Sequence, residues 1–216
     1  MVDALKKRQK RIHIVTTSIR RADDPLSEKT LRTISQLGFQ KYRLAFWKYD
    51  LDRPIQPQIE DIRAQLRDLV DLNKELGLQA GFQNHSGRQF VGAPVWDIHD
   101  LVKDMDARYI GGCFDIGHAT LEGGYAWPLH ARRMINHLTA VFVKDFYWVV
   151  DNNEWRAKWC PLGQGMVNPE FFKWLKSTPY RGPISQHHEY ELGSPNKSIP
   201  LFKRDLRVLK KWLATE

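Results

Sequence analysis

Short apolar runs rich in β-branched and aromatic residues recur along the chain, and longer amphipathic stretches separate them. Runs of this length and composition are typical of buried β-strands. The chain holds six of them, at residues 12–17, 42–47, 79–84, 112–116, 140–146 and 183–189. The pattern therefore predicts six strands.

The intervening stretches carry apolar residues every three to four positions, the spacing of one helix face. The clearest helix ends at Gly77, and an earlier one is predicted to be capped by Ser27 and to end at Gly38. Two more helices are predicted, one opening at Asn168 and one over residues 202–213. Strands that alternate with helices predict parallel β/α units with right-handed crossovers.

The number of units is informative, because a closed (β/α)8 barrel needs eight units in roughly 250 residues. Only six strands precede the C-terminus, and the lysine-rich stretch 3–10 is interpreted as the tail of a helix. We therefore expect an α/β fold of the TIM-barrel type, a single domain over residues 1–216 that lacks two N-terminal units. Either the reading frame starts inside a longer gene, or another chain covers the open edges, which would make the protein a homo-oligomer if that chain were a second copy.

Composition narrows the class of protein. The chain is 42% hydrophobic, which supports a sizeable core, and no apolar stretch approaches the roughly 18 residues of a membrane span. With a basic, polar N-terminus we predict neither signal peptide nor anchor, hence a cytoplasmic protein. Two cysteines, Cys113 and Cys160, are expected to be buried thiols.

The net charge of +8 raises the question of whether the protein binds nucleic acid. Lysine and arginine are spread over the whole length, however, and the densest cluster is residues 6–11. A solvated basic surface is the preferred interpretation, and nucleic acid is not the expected partner.

Two acidic residues close separate apolar runs, and each has histidine close by. Asp115 precedes His118, and Glu189 follows His187 and His188. Parallel barrels keep their sites at the carboxyl ends of the strands, so carboxylates there, backed by imidazoles, suit metal or proton chemistry. The structural alternative for Asp115 and Glu189 is a salt bridge or a helix cap without a catalytic role.

Five segments in this order resemble the xylose-isomerase-like barrel family of sugar phosphate isomerases and epimerases. The similarity runs from residue 12 to the C-terminus and corresponds to the last six of that family's eight units. The segments are Phe-Gln-Asn-His-Ser-Gly at 82–87, Phe-Asp-Ile-Gly-His-Ala at 114–119, Val-Lys-Asp-Phe at 143–146, Pro-Leu-Gly-Gln-Gly at 161–165 and His-Glu-Tyr at 188–190.

The resemblance implies one divalent metal, often manganese, held by a glutamate, an aspartate, a histidine and a glutamate on the fifth to eighth strands. Those positions fall here on Gln83, Asp115, Phe142 and Glu189. Gln83, Asp115 and Glu189 are thus the predicted ligands of manganese, magnesium or zinc. An amide has no useful basicity and a phenyl ring coordinates nothing, so a two-glutamate proton relay does not carry over.

Strand parity points to Lys144 as a catalytic residue. Side chains alternate across a strand, so if Phe142 faces the barrel interior then Lys144 does too, one layer nearer the mouth. We predict that its ammonium pairs with Asp115 and Glu189, replaces part of the metal charge and stabilises an enediolate oxygen. Glu189 is the predicted acid/base.

The predicted substrate-binding residues are less specific. Each has a structural alternative: a turn histidine bonded to backbone, an arginine salt bridge at the barrel floor, or ordinary aromatic packing. The Gly163-Gln164-Gly165 motif suits either a turn or a phosphate loop. The predicted substrate-binding set is Gln83, His85, His118, Arg43, Trp47 and His187.

These residues and the resemblance together suggest an enzyme of carbohydrate metabolism. We expect a sugar isomerase or epimerase that acts on a ketose, an aldose or a sugar phosphate. A single carboxylate base favours isomerisation. Two alternatives remain: a non-catalytic sugar-binding or truncated remnant, and an apurinic-site endonuclease, for which the altered ligands are unfavourable.

Overall fold

Six parallel strands form one curled sheet in the computed structural model, which describes residues 2–214 apart from the side chains of residues 3 and 6. The sheet order is β1-β2-β3-β4-β5-β8, so neighbours in sequence are neighbours in space. A separate antiparallel hairpin consists of β6 and β7. The strands are β1 (Val15–Thr16), β2 (Lys41–Arg43), β3 (Gln79–Gln83), β4 (Ile110–Asp115), β5 (Leu138–Val143), β6 (Asp145–Asp151), β7 (Glu154–Cys160) and β8 (Ile184–Gln186).

Helices follow the sheet strands, as the alternating pattern predicts. The α-helices are α1 (Val2–Lys6), α2 (Pro25–Gln36), α3 (Ile55–Leu76), α4 (Val95–Val102), α5 (Ile116–Gly123), α6 (Trp127–Met134), α7 (Glu170–Ser177) and α8 (Pro195–Ala214). The result is a half-barrel of about six β/α units, which confirms the predicted incomplete TIM-barrel class. Within residues 2–214, no helix is both long and apolar enough to cross a membrane.

One helix end was predicted correctly from the local sequence, and one helix start was not. Gly77 ends α3 in the left-handed conformation with φ 66°, a geometry that favours glycine. The predicted cap of α2 was wrong: Asp24, not Ser27, is the N-cap, and its carboxylate accepts the N–H of Leu26 at 2.9 Å. The reason is Pro25, which suits the first helical position and lacks an N–H that the cap would need to satisfy.

Two apolar clusters lie on opposite sides of the sheet. The larger one packs the sheet against the helices and includes Leu66, Phe82 and Phe171. The smaller one fills the inside of the curl with Cys113, Ala140 and Phe142. The space there is tight, because a Cβ on Gly81 would come within 2.2 Å of the Cys113 sulfur. The polar side chains at the carboxyl ends of the strands therefore lie on a closely packed apolar layer.

Both thiols are buried and unpaired, as predicted. Burial raises the pKa of each to about 12, so neither is a thiolate at neutral pH.

Candidate functional site

A buried ion-pair cluster lies where three adjacent strands end. Asp115 ends β4, Lys144 directly follows β5, and Glu189 lies just beyond β8. The Lys144 Nζ is 3.2 Å from Asp115 Oδ2 and also donates to Glu189 Oε1. Lys144 is 2% exposed and Asp115 0%, whereas the Glu189 side chain is 37% exposed. The pairing expected from strand parity is therefore present, and only Glu189 is open to a molecule arriving from solvent. We call these three residues the polar cluster.

Hydrogen bonds hold Asp115 in one orientation. Its Oδ2 accepts the Gln83 side-chain amide at 3.0 Å, and its Oδ1 accepts the His118 backbone N–H at 3.1 Å. Asn84 bonds both the N–H and the C=O of Asp115, at 2.7 and 2.9 Å. Burial alone would raise the pKa of this carboxyl, but the pKa is lowered, with the Lys144 charge and the hydrogen bond from the His118 backbone N–H among the causes. Asp115 is consequently a fixed, ionised carboxylate.

Histidines surround the polar cluster on two sides. The His118 Nδ1 is 2.7 Å from the Ser86 hydroxyl, and its ring lies 4.0 Å from that of His85. The His118 Nε2 is buried and has no hydrogen-bond partner among the described residues. His187 packs on Phe142 with ring centroids 4.2 Å apart, inside the curl. These positions bring the three histidines to the site, while their roles stay predictions.

The neighbouring His188 lies on the opposite side of its strand. Its Nε2 is 3.5 Å from Asp205 Oδ2 on α8, and its ring is 4.5 Å from that of Phe202. Alternation along the segment that follows β8 thus separates the two histidines, as strand parity predicts.

Acidification is expected to destabilise the fold through His118. Burial lowers the pKa of His118 to about 3, whereas an unfolded histidine titrates near ~6.5. The unfolded chain therefore takes up this proton first, and stability falls as the pH drops from ~6.5 towards 3. At pH 5 the loss through this residue is about 2 kcal/mol relative to pH 7. Urea unfolding of the wild type and His118→Asn at both pH values measures it.

The variant should show a smaller loss of stability on acidification than the wild type. The exposed His13 supplies a matched control, His13→Asn, for which we expect the wild-type pH dependence. Equal slopes in the wild type and His118→Asn would rule out His118 as a source of the effect.

Arg43 and Trp47 do not contact the polar cluster. Arg43 is half-buried, its guanidinium lies 4.7 Å from the Phe46 ring centroid, and Nη1 donates to the Leu44 carbonyl. Trp47 is buried and stacks on Phe82 in the larger core, with ring centroids 5.0 Å apart. Arg43 is the last residue of β2, so the alternation of that strand does not decide on which side Trp47 packs.

The structure adds Trp159 to the site, which the sequence did not suggest. Trp159 lies on β7, and the hairpin brings its ring within 4.6 Å of Lys144 Nζ and 5.1 Å of the His118 ring. A cation over an indole face is favourable when it is desolvated. Its sequence signal was only an aromatic residue in a connection of unknown path.

The glycine motif after the hairpin is a turn and not a phosphate loop. The N–H groups of Gly163 and Gly165 both donate to Asp145 Oδ2, at 2.9 and 3.0 Å. Asp145 Oδ1 accepts two more N–H groups, from Phe146 and Val167. The donors that would surround a phosphate are therefore already used by a carboxylate of this chain.

The three predicted metal ligands do not fit a divalent cation as they are arranged. The Lys144 ammonium lies between Asp115 and Glu189, and Gln83 presents its NH₂ group to Asp115. A second cation there would be repelled by the ammonium. Among the described residues, no group of three or more His, Cys, Asp or Glu side chains is placed to hold a metal.

Comparison with known proteins places this geometry in context. Residues 5–212 match the family model described as "Xylose isomerase-like TIM barrel". A curated relative, the uncharacterized protein MJ1311 of Methanocaldococcus jannaschii, is 27% identical over 150 residues, which are 68% of this chain and 47% of that protein. The chain therefore spans about half the length of the curated relative it matches.

Solved structures show the same fold. A xylose isomerase domain protein from Alicyclobacillus acidocaldarius superposes with a TM-score of 0.75 at 16% identity, covering 99% of this chain and 81% of that one. D-psicose 3-epimerase with D-tagatose, from Clostridium cellulolyticum, gives 0.74 at 10% identity and 99% and 82% coverage. The 3-keto-D-glucoside 4-epimerase of E. coli gives 0.72 at 14% identity and 97% and 82% coverage. At these identities the likeness concerns the fold.

Proposed function

Because the chain belongs to the xylose isomerase-like TIM barrel family, we propose that its polar cluster transfers a proton on a ketose or aldose, as sugar isomerases and epimerases do. One observation carries the proposal: a buried ammonium lies between a buried carboxylate and a solvent-reachable one. Such a group stabilises negative charge on oxygen beside a carboxylate that can take a proton.

The proposed reaction uses Glu189 as its single base. Glu189 removes the proton from the carbon next to the substrate carbonyl, and the carbonyl oxygen becomes the enediolate oxygen. The Lys144 ammonium has three N–H donors. It donates to Glu189 and forms an ion pair with Asp115, and in this scheme a remaining N–H donates to the enediolate oxygen. The hydroxyl proton on the deprotonated carbon then passes to the enediolate oxygen, and Glu189 returns its proton to the former carbonyl carbon, which converts ketose to aldose or the reverse.

Other residues of the site orient the substrate in this scheme. Burial lowers the pKa of His118 to about 3, so the ring is neutral. Its buried Nε2, which has no hydrogen-bond partner among the described residues, bonds a substrate hydroxyl in this scheme. Asp115 keeps Lys144 in place. Gln83 supplies no second base, since its amide already bonds Asp115 and an amide is not basic. One-base isomerisation therefore fits these residues better than epimerisation, and no step passes through a metal.

Deuterium exchange tests the proposed function directly. Ketoses, aldoses and their phosphates are incubated with the protein in D₂O, and uptake next to the carbonyl is followed by NMR. We expect uptake with at least one sugar and a loss of about 10³-fold in Glu189→Gln, because the general base is removed. Glu191→Gln, an exposed acid on the same segment, is the matched control. A chelator arm with EDTA should leave the rate unchanged.

Three results would contradict the proposal. Uptake that is unchanged in Glu189→Gln would exclude its role as base. A rate abolished by EDTA and restored by manganese would show that a metal takes part after all. No uptake from any sugar by the folded protein would favour the non-catalytic, sugar-binding interpretation.

A further inference from the structure

The segment that carries Glu189 belongs to neither a helix nor a strand. β8 ends at Gln186, and α8 begins at Pro195. The His187 N–H donates to the Val143 carbonyl at 2.8 Å, which is the last backbone hydrogen bond between this segment and β5 within the described residues. Backbone bonding to β5 therefore stops two residues before Glu189, so side-chain contacts decide how the rest of the segment lies.

The residues on either side of Glu189 both contact one carboxylate. The Tyr190 hydroxyl donates to Asp205 Oδ2 at 2.7 Å, and His188 Nε2 lies 3.5 Å from the same oxygen. Asp205 lies on α8, and its side chain is only 1% exposed. The two neighbours of Glu189 thus meet at a single buried group on a helix.

The Asp205 carboxylate is itself held in place. Arg204 Nη1 donates to Asp205 Oδ1 at 2.9 Å, which leaves Oδ2 for the segment. The His188 ring also packs on Phe202 of α8, with ring centroids 4.5 Å apart. A charged acceptor makes stronger hydrogen bonds than a neutral one, and burial of Asp205 keeps water from competing for them. Asp205 therefore anchors the segment firmly to α8.

Anchoring the two neighbours fixes the direction of the Glu189 side chain. Glu189 contacts Lys144 on one side of the segment, while both neighbours contact Asp205 on the other. The Glu189 side chain is 37% exposed. A carboxylate with this much access to water gains little from an ion pair, so the contact with Lys144 alone holds it weakly. The anchor on α8 supplies the remaining restraint.

We propose that Asp205 is a positioning residue that holds Glu189 at Lys144 through His188 and Tyr190; its effect on the reaction rests on the proposed function. Asp205 does not touch the substrate in this scheme. Without its carboxylate, Glu189 turns towards solvent for more of the time and pairs less with Lys144. A base must stay within reach of the proton that it removes, and a misplacement of about 1 Å lowers a rate about 100-fold.

A double-mutant cycle on stability tests the inference without a substrate. The unfolding equilibrium constant is measured in urea for the wild type, Asp205→Asn, Glu189→Gln and the double variant. Asp205→Asn keeps the shape of the side chain and removes its charge. Glu189→Gln should cost less in the Asp205→Asn background, because Glu189 is then already displaced from Lys144. We expect a departure from additivity of about fivefold or more in this constant. Leu209→Ala, at a buried apolar residue of α8, is the matched control and should combine additively with Glu189→Gln.

Kinetics separates positioning from a general loss of structure. With a sugar that exchanges deuterium, Asp205→Asn should lower kcat about tenfold or more and change KM by less than about twofold, because the lost interaction acts on the base and not on substrate binding. Leu209→Ala destabilises the same helix by leaving a cavity, yet it should keep the kcat of the wild type.

A milder variant covers the case in which Asp205→Asn does not fold. Tyr190→Phe removes only the hydroxyl that donates to Asp205, and its cycle with Glu189→Gln should depart from additivity in the same direction. Additive effects in the cycles, or a folded Asp205→Asn protein with the kcat of the wild type, would overturn the inference. Non-additivity in a protein that exchanges deuterium with no sugar would support the anchor and refute the isomerase proposal.

Discussion

Lys144→Met is expected to lower the free energy of unfolding by about 3 kcal/mol and to abolish deuterium exchange. Breaking a buried ion pair by removing one partner leaves an uncompensated charge, which typically costs about 3–5 kcal/mol. The lower end applies because Glu189 is 37% exposed and regains solvent, whereas Asp115 is fully buried. Asp115 keeps its bonds to Gln83 and His118 but loses its nearest cation. Urea unfolding and the exchange assay measure the two effects.

The pH dependence of this variant distinguishes a lost ion pair from lost packing. Without the ammonium the pKa of Asp115 rises, so its carboxyl protonates more readily in the folded state, and the difference from the wild type should shrink as the pH falls from 7 towards 4. Lys173→Met, an exposed lysine on α7, is the matched control and should change stability by less than about 0.5 kcal/mol. A Lys144→Met protein with wild-type activity on a competent sugar would remove Lys144 from the mechanism.

Asp145→Ala is expected to destabilise the protein by about 3 kcal/mol. This buried carboxylate accepts four backbone N–H groups, from Phe146, Gly163, Gly165 and Val167. Each buried donor left without a partner costs about 1–3 kcal/mol, and two of the four bonds are fully buried. The same bonds connect the start of β6 to the loop after β7. Thermal and urea unfolding of the variant give the magnitude.

The choice of controls tests whether the carboxylate itself matters. Asp145→Asn keeps one acceptor oxygen and should lie between the wild type and the alanine variant. Asp151→Ala, an exposed aspartate in the same hairpin, should be nearly neutral. A cost for Asp145→Ala below about 0.5 kcal/mol would mean that water replaces the carboxylate, and that the loop is not held by it.

Local periodicity was enough to predict the architecture. The apolar spacing that ends at Gly77 corresponds to α3, and the six apolar runs correspond to the six strands of the sheet. The boundaries were less accurate: the run 42–47 yields a strand over Lys41–Arg43 only. Ladder hydrogen bonds to neighbouring strands, which a single sequence does not reveal, decide where a strand ends.

The alternation of side chains along a strand predicted which residues of the site lie together. It placed Lys144 with Asp115 and Glu189, and it separated His187 from His188. The rule does not reach Trp47, which lies beyond the end of β2 and stacks on Phe82, since alternation holds only while the backbone stays extended.

By itself, the sequence determined the β/α alternation, the half-barrel and the carboxylates and lysine at one edge of the sheet, because these follow from periods of two and 3.6 residues along the chain. Only the tertiary structure decided that a hairpin folds back to place Trp159 over Lys144, and that α8 packs so that Asp205 meets Tyr190. Both depend on contacts between residues far apart in sequence. Their existence is set by how whole elements pack, which no local period encodes.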